Sequence, residues 1–271
     1  MVELRNIKIG DNNPFVLIAG PCVVESEEII YQTAEEIKEI TSRLGIPFIF
    51  KSSFKKANRT SIKSFTGLGD EQAIRLLSKL RSDLDLPVLT DVHKETDIDL
   101  VKDSVDLIQI PAFLCRQTDL LLAAGKSGLI VNIKKGQFLA PEDMKHAAEK
   151  VASTGNQKIL LTERGTTFGY HNLVVDMRSL VIMREFGYPV VMDATHSVQL
   201  PSKDNKSGGE PRFIKPLAKA AAAVGIDALF LEVHPNPSEA LSDADSQLPL
   251  KELESLLIEI KKIDSFVKSL A

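Results

Sequence analysis

The sequence predicts an α/β chain wound into a single (β/α)8 (TIM) barrel with a short N-terminal strand or hairpin in front of it. Three observations carry this. Short apolar runs without strict alternation, as expected of strands covered on both faces, recur along the whole chain. Helix-spaced stretches fall between successive runs, and the strand–helix units number about eight, the count at which a parallel sheet closes on itself. An open doubly wound sheet shares this periodicity, but no GxGxxG turn follows the first strand-like run. No Pro/Gly-rich or low-complexity linker divides the 271 residues, so 1–271 reads as one barrel domain with 1–13 as its N-terminal extension.

Taken in order, Leu4–Ile9 alternates apolar and polar side chains ahead of Gly10-Asp11-Asn12, the pattern of a strand or hairpin. Phe15–Ala19, closed by Gly20-Pro21, is the first buried strand. Glu27–Leu44 is the first helix, with Ile29, Ile30, Ala34, Ile37, Ile40 and Leu44 at helical spacing. Strand-like runs follow at Pro47–Phe50, Pro87–Thr90, Asp106–Ile110, Leu129–Ile133, Lys158–Leu161, Pro189–Met192 and Ala228–Leu231. Helix-like stretches alternate with them around Glu71–Leu84, Glu95–Asp103, Thr118–Ala124, Pro141–Ser153, Asn172–Phe186 and Arg212–Val224, before a last amphipathic helix near Leu250–Ser269. The polar segment Pro201–Pro211, with Gly208-Gly209, reads as a long mobile loop of the kind that forms lids.

Bulk properties exclude several function classes. A formal net charge of -4 and the lack of a sustained Lys/Arg stripe argue against nucleic acid as a partner. No run approaches the ~20 apolar residues that span a bilayer, and Met1–Asn12 lacks the apolar core of a secretory signal, so a cytoplasmic protein with no membrane partner is expected. Two cysteines, Cys22 and Cys115, predict no disulfide in a reducing compartment.

The stretch Lys51–Gly69 is the chemically distinctive one. It gathers Lys51, Lys55, Lys56, Arg59 and Lys63 with hydroxyls at Ser52, Ser53, Thr60, Ser61 and Ser64. Such a run is often no more than a solvated loop. Here cations alternate with hydroxyls on a chain of net negative charge, and Asn58-Arg59 offers planar donors, which points to a grip on a phosphorylated molecule. Barrel enzymes place their sites at the carboxyl ends of the strands. Those positions read Cys22, Lys51, Asp91 with His93, Gln109, Asn132 with Lys134, Glu163 with Arg164, Asp193 with His196, and Glu232 with His234. The cations Lys51, Lys56, Arg59, Arg116, Lys134 and Arg164 exceed what one phosphate needs and imply two anionic groups or two substrates. Cys22, His196, Glu232 and Asp243 offer a donor set suited to a divalent transition metal. Their spacing is no local metal motif, and Cys22 reads equally as a small buried hydrophobe and His196 as a hydrogen-bonded loop histidine.

Longer strings go further: AGPC at 19–22, FKSSFKKANRTSIKSF at 50–65, IQIPAFLCRQTDLLLAA at 108–124, NIKKGQFLAP at 132–141, TERGTTFGYHNLVVDMRSL at 162–180, DATHSVQLP at 193–201 and EVHPNPSEALSDADSQLPL at 232–250. Over almost the whole chain they closely resemble the 3-deoxy-D-manno-octulosonate 8-phosphate synthases. That resemblance implies a homotetrameric barrel condensing phosphoenolpyruvate with D-arabinose 5-phosphate, in the supply of the inner sugar of lipopolysaccharide. It implies that Arg116, Lys134 and Arg164 hold the phosphate of phosphoenolpyruvate, with Lys51, Lys56, Ser53 and Gln109 near its carboxylate, and that Asn58, Arg59 and Thr60 take the pentose phosphate. Asp91 joins this substrate set, and His196, Asp243, Lys56 and Asn58 are the catalytic candidates. Thr60 stands where the family commonly has serine, and KSGGEPRF at 206–213 departs from the expected lid. Family members divide into metal-dependent ones with cysteine after the Gly-Pro and metal-independent ones with asparagine. Cys22 therefore implies a divalent metal ion (zinc, iron, manganese or similar) on Cys22, His196, Glu232 and Asp243. The rival readings are a heptulosonate-phosphate synthase using erythrose 4-phosphate and a non-catalytic sugar-phosphate-binding barrel.

Overall fold

The computed structural model describes residues 1–57, 64–167, 172–200 and 208–270. The chain starts with an antiparallel hairpin, β1 (Val2–Leu4) and β2 (Ile7–Ile9). Strands β3 (Val16–Gly20), β4 (Phe48–Lys51), β5 (Val88–Asp91), β6 (Leu107–Ile110), β7 (Ile130–Lys134), β8 (Ile159–Glu163) and β9 (Val190–Asp193) then pair in sequence, all parallel. A small antiparallel ribbon, β10 (Gln199–Leu200) with β11 (Gly208–Gly209), comes next. β12 (Ala228–His234) pairs with both β3 and β9 and so closes an eight-stranded barrel, while the two-residue β13 (Leu248–Pro249) adds to its far end. Outside lie the helices α1 (Glu27–Leu44), α2 (Asp70–Asp83), α3 (Glu95–Val101), α4 (Thr118–Lys126), α5 (Met144–Ala152), α6 (Arg178–Arg184), α7 (Ile214–Val224) and α8 (Leu250–Lys268).

Most elements fall within a few residues of the ranges expected from the sequence, because strands buried on both faces leave plain apolar runs. Local signals sharpen the helix ends. Ser26 accepts a hydrogen bond from the Ile29 N–H at the start of α1, and Gly45 closes it in the left-handed region at φ 61°. Two expectations are corrected. α6 begins at Arg178, not near Asn172, because Val174 pairs with Thr166 in an antiparallel bridge that commits Val174 to an extended pairing instead of a helical turn. Gly208-Gly209 is a paired strand and not part of a loop; Pro201–Ser207 lies outside the described residues.

Alternation along the strands makes two apolar cores. Leu17, Ala19, Phe48, Phe50, Val88, Val131 and Leu161 face the helices. Ile18, Ile49, Leu89, Leu107, Ile130, Leu160, Val191 and Phe230 face inward, and the hairpin's Val2, Leu4, Ile7 and Ile9 pack with them. The hairpin thus plugs the amino-terminal end of the barrel and leaves the opposite end to the polar residues. No helix among the described residues is long and apolar enough to cross a membrane.

Candidate active site

Each inward face changes chemistry halfway along its strand. Two residues beyond the apolar layer, Ile49 gives way to Lys51, Leu89 to Asp91, Leu107 to Gln109, Ile130 to Asn132, Leu160 to Thr162, Val191 to Asp193 and Phe230 to Glu232. Lys134 and Arg164 stand one step further along β7 and past β8. Side chains two apart share a face, so the barrel directs all of these to one end. There Lys51, Asp91, Gln109, Lys134, Arg164 and Glu232 line a cavity of about 700 Å³ together with Lys56, His93, His196 and Asp243, while Asn132 and Asp193 stand behind that lining and bond to it, and Thr162 bonds in turn to Asn132. Gly20 is required beside it, since a Cβ there would collide with the Lys51 carbonyl as the chain turns toward Cys22.

Three connected groups form the wall. In the first, Thr162 Oγ1 donates to Asn132 Oδ1 (2.6 Å), Asn132 Nδ2 donates to Gln109 Oε1 (2.8 Å), and Gln109 Nε2 and Ser53 Oγ both donate to Asp91. This relay runs sideways across four strand ends and fixes each amide's orientation. In the second, Asp193 Oδ2 lies 2.7 Å from Lys134 Nζ and 2.8 Å from His196 Nδ1. The other ring nitrogen of His196 is 3.5 Å from Glu232 Oε1, which pairs with Lys51 Nζ at 3.0 Å. In the third, Lys56 Nζ sits 2.9 Å from Cys22 Sγ and 2.5 Å from Asp243 Oδ2, with the thiol 3.4 Å from that same carboxylate.

The charges are deeply buried and not evenly compensated. Burial opposes ionisation of Asp91, but Lys51 and Lys134 outweigh it and hold its carboxyl below the usual range. Asp193 and Asp243 are held low against burial in the same way, by His196 and Lys134 and by Lys56 and His196 respectively. Lys56 ends well above an ordinary lysine, because Cys22, Asp243 and Glu232 overcome its burial. Lys134 and Arg164 behave otherwise: burial lowers both, and the nearby carboxylates do not restore them. Arg164 Nη2 donates to Gln199 Oε1 (2.8 Å), whereas its Nε and Nη1 are buried and make no hydrogen bond among the described residues. A guanidinium edge beside an under-compensated ammonium is a seat for a phosphate.

Cys22, Glu232 and Asp243 form a possible metal cluster, each offering a ligand atom within 4.8 Å of the others. A thiolate with two carboxylates suits a divalent transition metal, and Glu232 Oε2 is buried without a hydrogen-bond partner. Burial and Glu232 push the Cys22 thiol up, against the pull of Lys56, so a metal ion would have to displace its proton. His196 borders this cluster through Glu232 and is held on its other side by Asp193.

Not every residue singled out from the sequence meets here. Arg116 is exposed and does not line the cavity: a 3-10 turn, Ala112–Leu114, carries the chain outward from β6, and the Arg116 carbonyl accepts from Lys150 Nζ. Asn58, Arg59 and Thr60 lie outside the described residues. Gln199, which holds Arg164, and Gln137, which also lines the cavity, escaped sequence reasoning. Both sit inside the quoted strings, but being uncharged they carried no signal of their own.

The model of a family described as "DAHP synthetase I family" matches residues 1–269. The chain is 53% identical over 268 residues to the 2-dehydro-3-deoxyphosphooctonate aldolase of Syntrophotalea carbinolica, covering 98% of this chain and 97% of that one. It is 52% identical to the proteins of that name from Trichlorobacter lovleyi (98% of both chains) and Acidithiobacillus ferrooxidans (99% of this chain, 96% of the relative). With its barrel closed, its strand ends ionisable and its length matched almost throughout, the chain belongs to the DAHP synthetase I family, alongside the 2-dehydro-3-deoxyphosphooctonate aldolases.

Proposed function

We infer that the chain condenses phosphoenolpyruvate with D-arabinose 5-phosphate and water to 3-deoxy-D-manno-octulosonate 8-phosphate and inorganic phosphate. The relatives' name points to the same eight-carbon product. The observation that carries the reading is the cationic side of the cavity, where buried Lys51, Lys134 and Arg164 converge and two guanidinium nitrogens make no hydrogen bond among the described residues. Lys134 and Arg164 grip the enolpyruvate phosphate, and Lys51 and Lys56 face its carboxylate with Ser53 and Gln109 nearby. Asn58, Arg59 and Thr60 receive the pentose phosphate. Arg116, read with them from the sequence, stands outside the cavity wall.

Held in this way, C3 of the enolpyruvate bonds to the aldehyde carbon, whose oxygen gains a proton. Positive character at C2 is captured by water, which loses a proton, and the hemiketal phosphate breaks its C2–O bond to release phosphate. Positioning and fixed charge do most of the work. Lys56 and Asn58 stabilise charge next to the reacting atoms. His196 and Asp243 move protons, Asp193 fixing the imidazole so that its second nitrogen faces the cavity. Cys22, Glu232 and Asp243, with His196 beside them, would hold a divalent ion such as zinc, iron or manganese, which would supply Lewis acidity at this end of the cavity. The protein works in the cytoplasm as a homotetramer, and its product enters lipopolysaccharide. Residues 1–271 act as one barrel domain extended by 1–13, a reading supported by the packing of the hairpin into the inner core.

The test is phosphate release from phosphoenolpyruvate with each aldose. Release with arabinose 5-phosphate and not with erythrose 4-phosphate is expected. The opposite preference would make the chain a heptulosonate-phosphate synthase, and binding of both substrates without release would make it a non-catalytic barrel.

A further inference from the structure

Lys135 and Glu163 are fully buried and lie outside the cavity, each next in sequence to one of its cations, Lys134 and Arg164. Lys135 Nζ stands 3.6 Å from Glu163 Oε1 and donates to Thr166 Oγ1 (3.0 Å) and to the carbonyls of Leu139 (3.3 Å) and Gly136 (3.4 Å). Glu163 Oε1 in turn accepts the Gly165 N–H at 2.6 Å, while its Oε2 has no partner among the described residues. These contacts sit where β7 and β8 part. The ladder ends with the Lys135 N–H donating to the Thr162 carbonyl (2.8 Å), and the two loops next meet at the Thr167 N–H and Gln137 carbonyl (2.9 Å). Between those bonds, the Lys135 side chain ties one loop to the other.

A fully buried ion pair seldom gives net stability over an apolar pair of the same size, because desolvating two charges offsets their attraction. Its value here is geometric. We propose that the Lys135–Glu163 pair positions Lys134 and Arg164, setting the distance between them and so the fit of the phosphate seat. This deepens the proposed function and rests on its reading of that seat as the enolpyruvate phosphate site.

The test compares wild-type protein with Lys135→Met, and with Lys135→Met/Glu163→Gln, in which no carboxylate charge is stranded should the single variant fail to fold. Readouts are kcat, the KM of each substrate, and the Kd of inorganic phosphate by titration calorimetry. In a folded variant the KM of phosphoenolpyruvate and the phosphate Kd should both rise about tenfold, as misplaced binding groups do, while the KM of arabinose 5-phosphate moves less than about twofold. Lys135→Arg, which keeps the charge, should recover most of the loss. Unchanged phosphate affinity, an equal rise in both KM values, or loss of folding in both Met variants overturns the proposal. Wild-type protein that binds phosphate but turns nothing over would sink the proposed function and leave the calorimetric arm decisive.

Discussion

Asp91 shows what a single buried carboxylate does in this cavity: it accepts from Ser53 and Gln109 and answers the charge of Lys51 and Lys134. Its folded pKa lies below the ~3.9 of an unfolded chain, so the stability it contributes is complete above that pH and lost as pH falls toward the folded value. His93 lies beside it, and burial holds the imidazole down in spite of Asp91 and Asp97. The unfolded chain therefore takes up a proton below ~6.5 that folded His93 refuses, and stability again falls with pH. Denaturation midpoints measured from pH 8 to about 4 should decline on the acid side, and His93→Asn should flatten the part of the slope just below ~6.5. An identical slope in that variant would show that His93 is not responsible. Cys22 carries a separate prediction. Cys22→Ala should lose bound metal by elemental analysis and, with it, most activity, because a thiolate is removed from a set of three. A metal-free but fully active Cys22→Ala protein would remove the ion from the reaction.

The elements differ in how plainly the sequence announces them. Strand runs such as Val16–Gly20 and the first three residues of β8, 159–161, are legible because nothing polar interrupts a segment covered on both sides. Helix α1 is legible through its cap, its period and its closing glycine. α6 is not, since Leu173, Val174, Val175 and Met177 supply apolar residues at helix-compatible spacing while a tertiary pairing, Thr166 with Val174, draws the chain out. The hairpin is visible as an alternating segment, but its role as a plug depends on the barrel that receives it. Ile9 is wholly buried there, so Ile9→Ala should destabilise by about 2–5 kcal/mol in urea denaturation, as large-to-small core changes do. A loss under ~0.5 kcal/mol, typical of surface sites, would mean that the hairpin is not part of the core.

For the molecule as a whole, the gathering of Lys51, Asp91, Gln109, Lys134, Arg164, His196 and Glu232, with Asp193 held against Lys134 and His196, was readable once eight units implied a barrel, because strand ends then share one mouth. The pairings within that mouth were not. Arg164 leans on uncharged Gln199, Lys135 turns away from the cavity that Lys134 enters, and the turn after β6 carries Arg116 outward. Such choices depend on how loops bend in three dimensions. Assembly belongs to this scale as well. Phe113 and Phe138 are 58% and 55% exposed, large apolar rings on neighbouring loops that favour being covered. Sedimentation should give four copies of the 29.8 kDa chain, and a monomer at micromolar concentration would end the tetramer reading.

The division of each inward face into a greasy lower half and an ionised upper half also constrains how such proteins diverge. Dropping one residue from a strand would swing its ammonium or carboxylate into the helix layer and turn its aliphatic neighbours toward the substrates. Insertions and deletions should therefore collect in the connections, and descendants of a shared ancestor should vary in loop size while their eight staves keep a common measure.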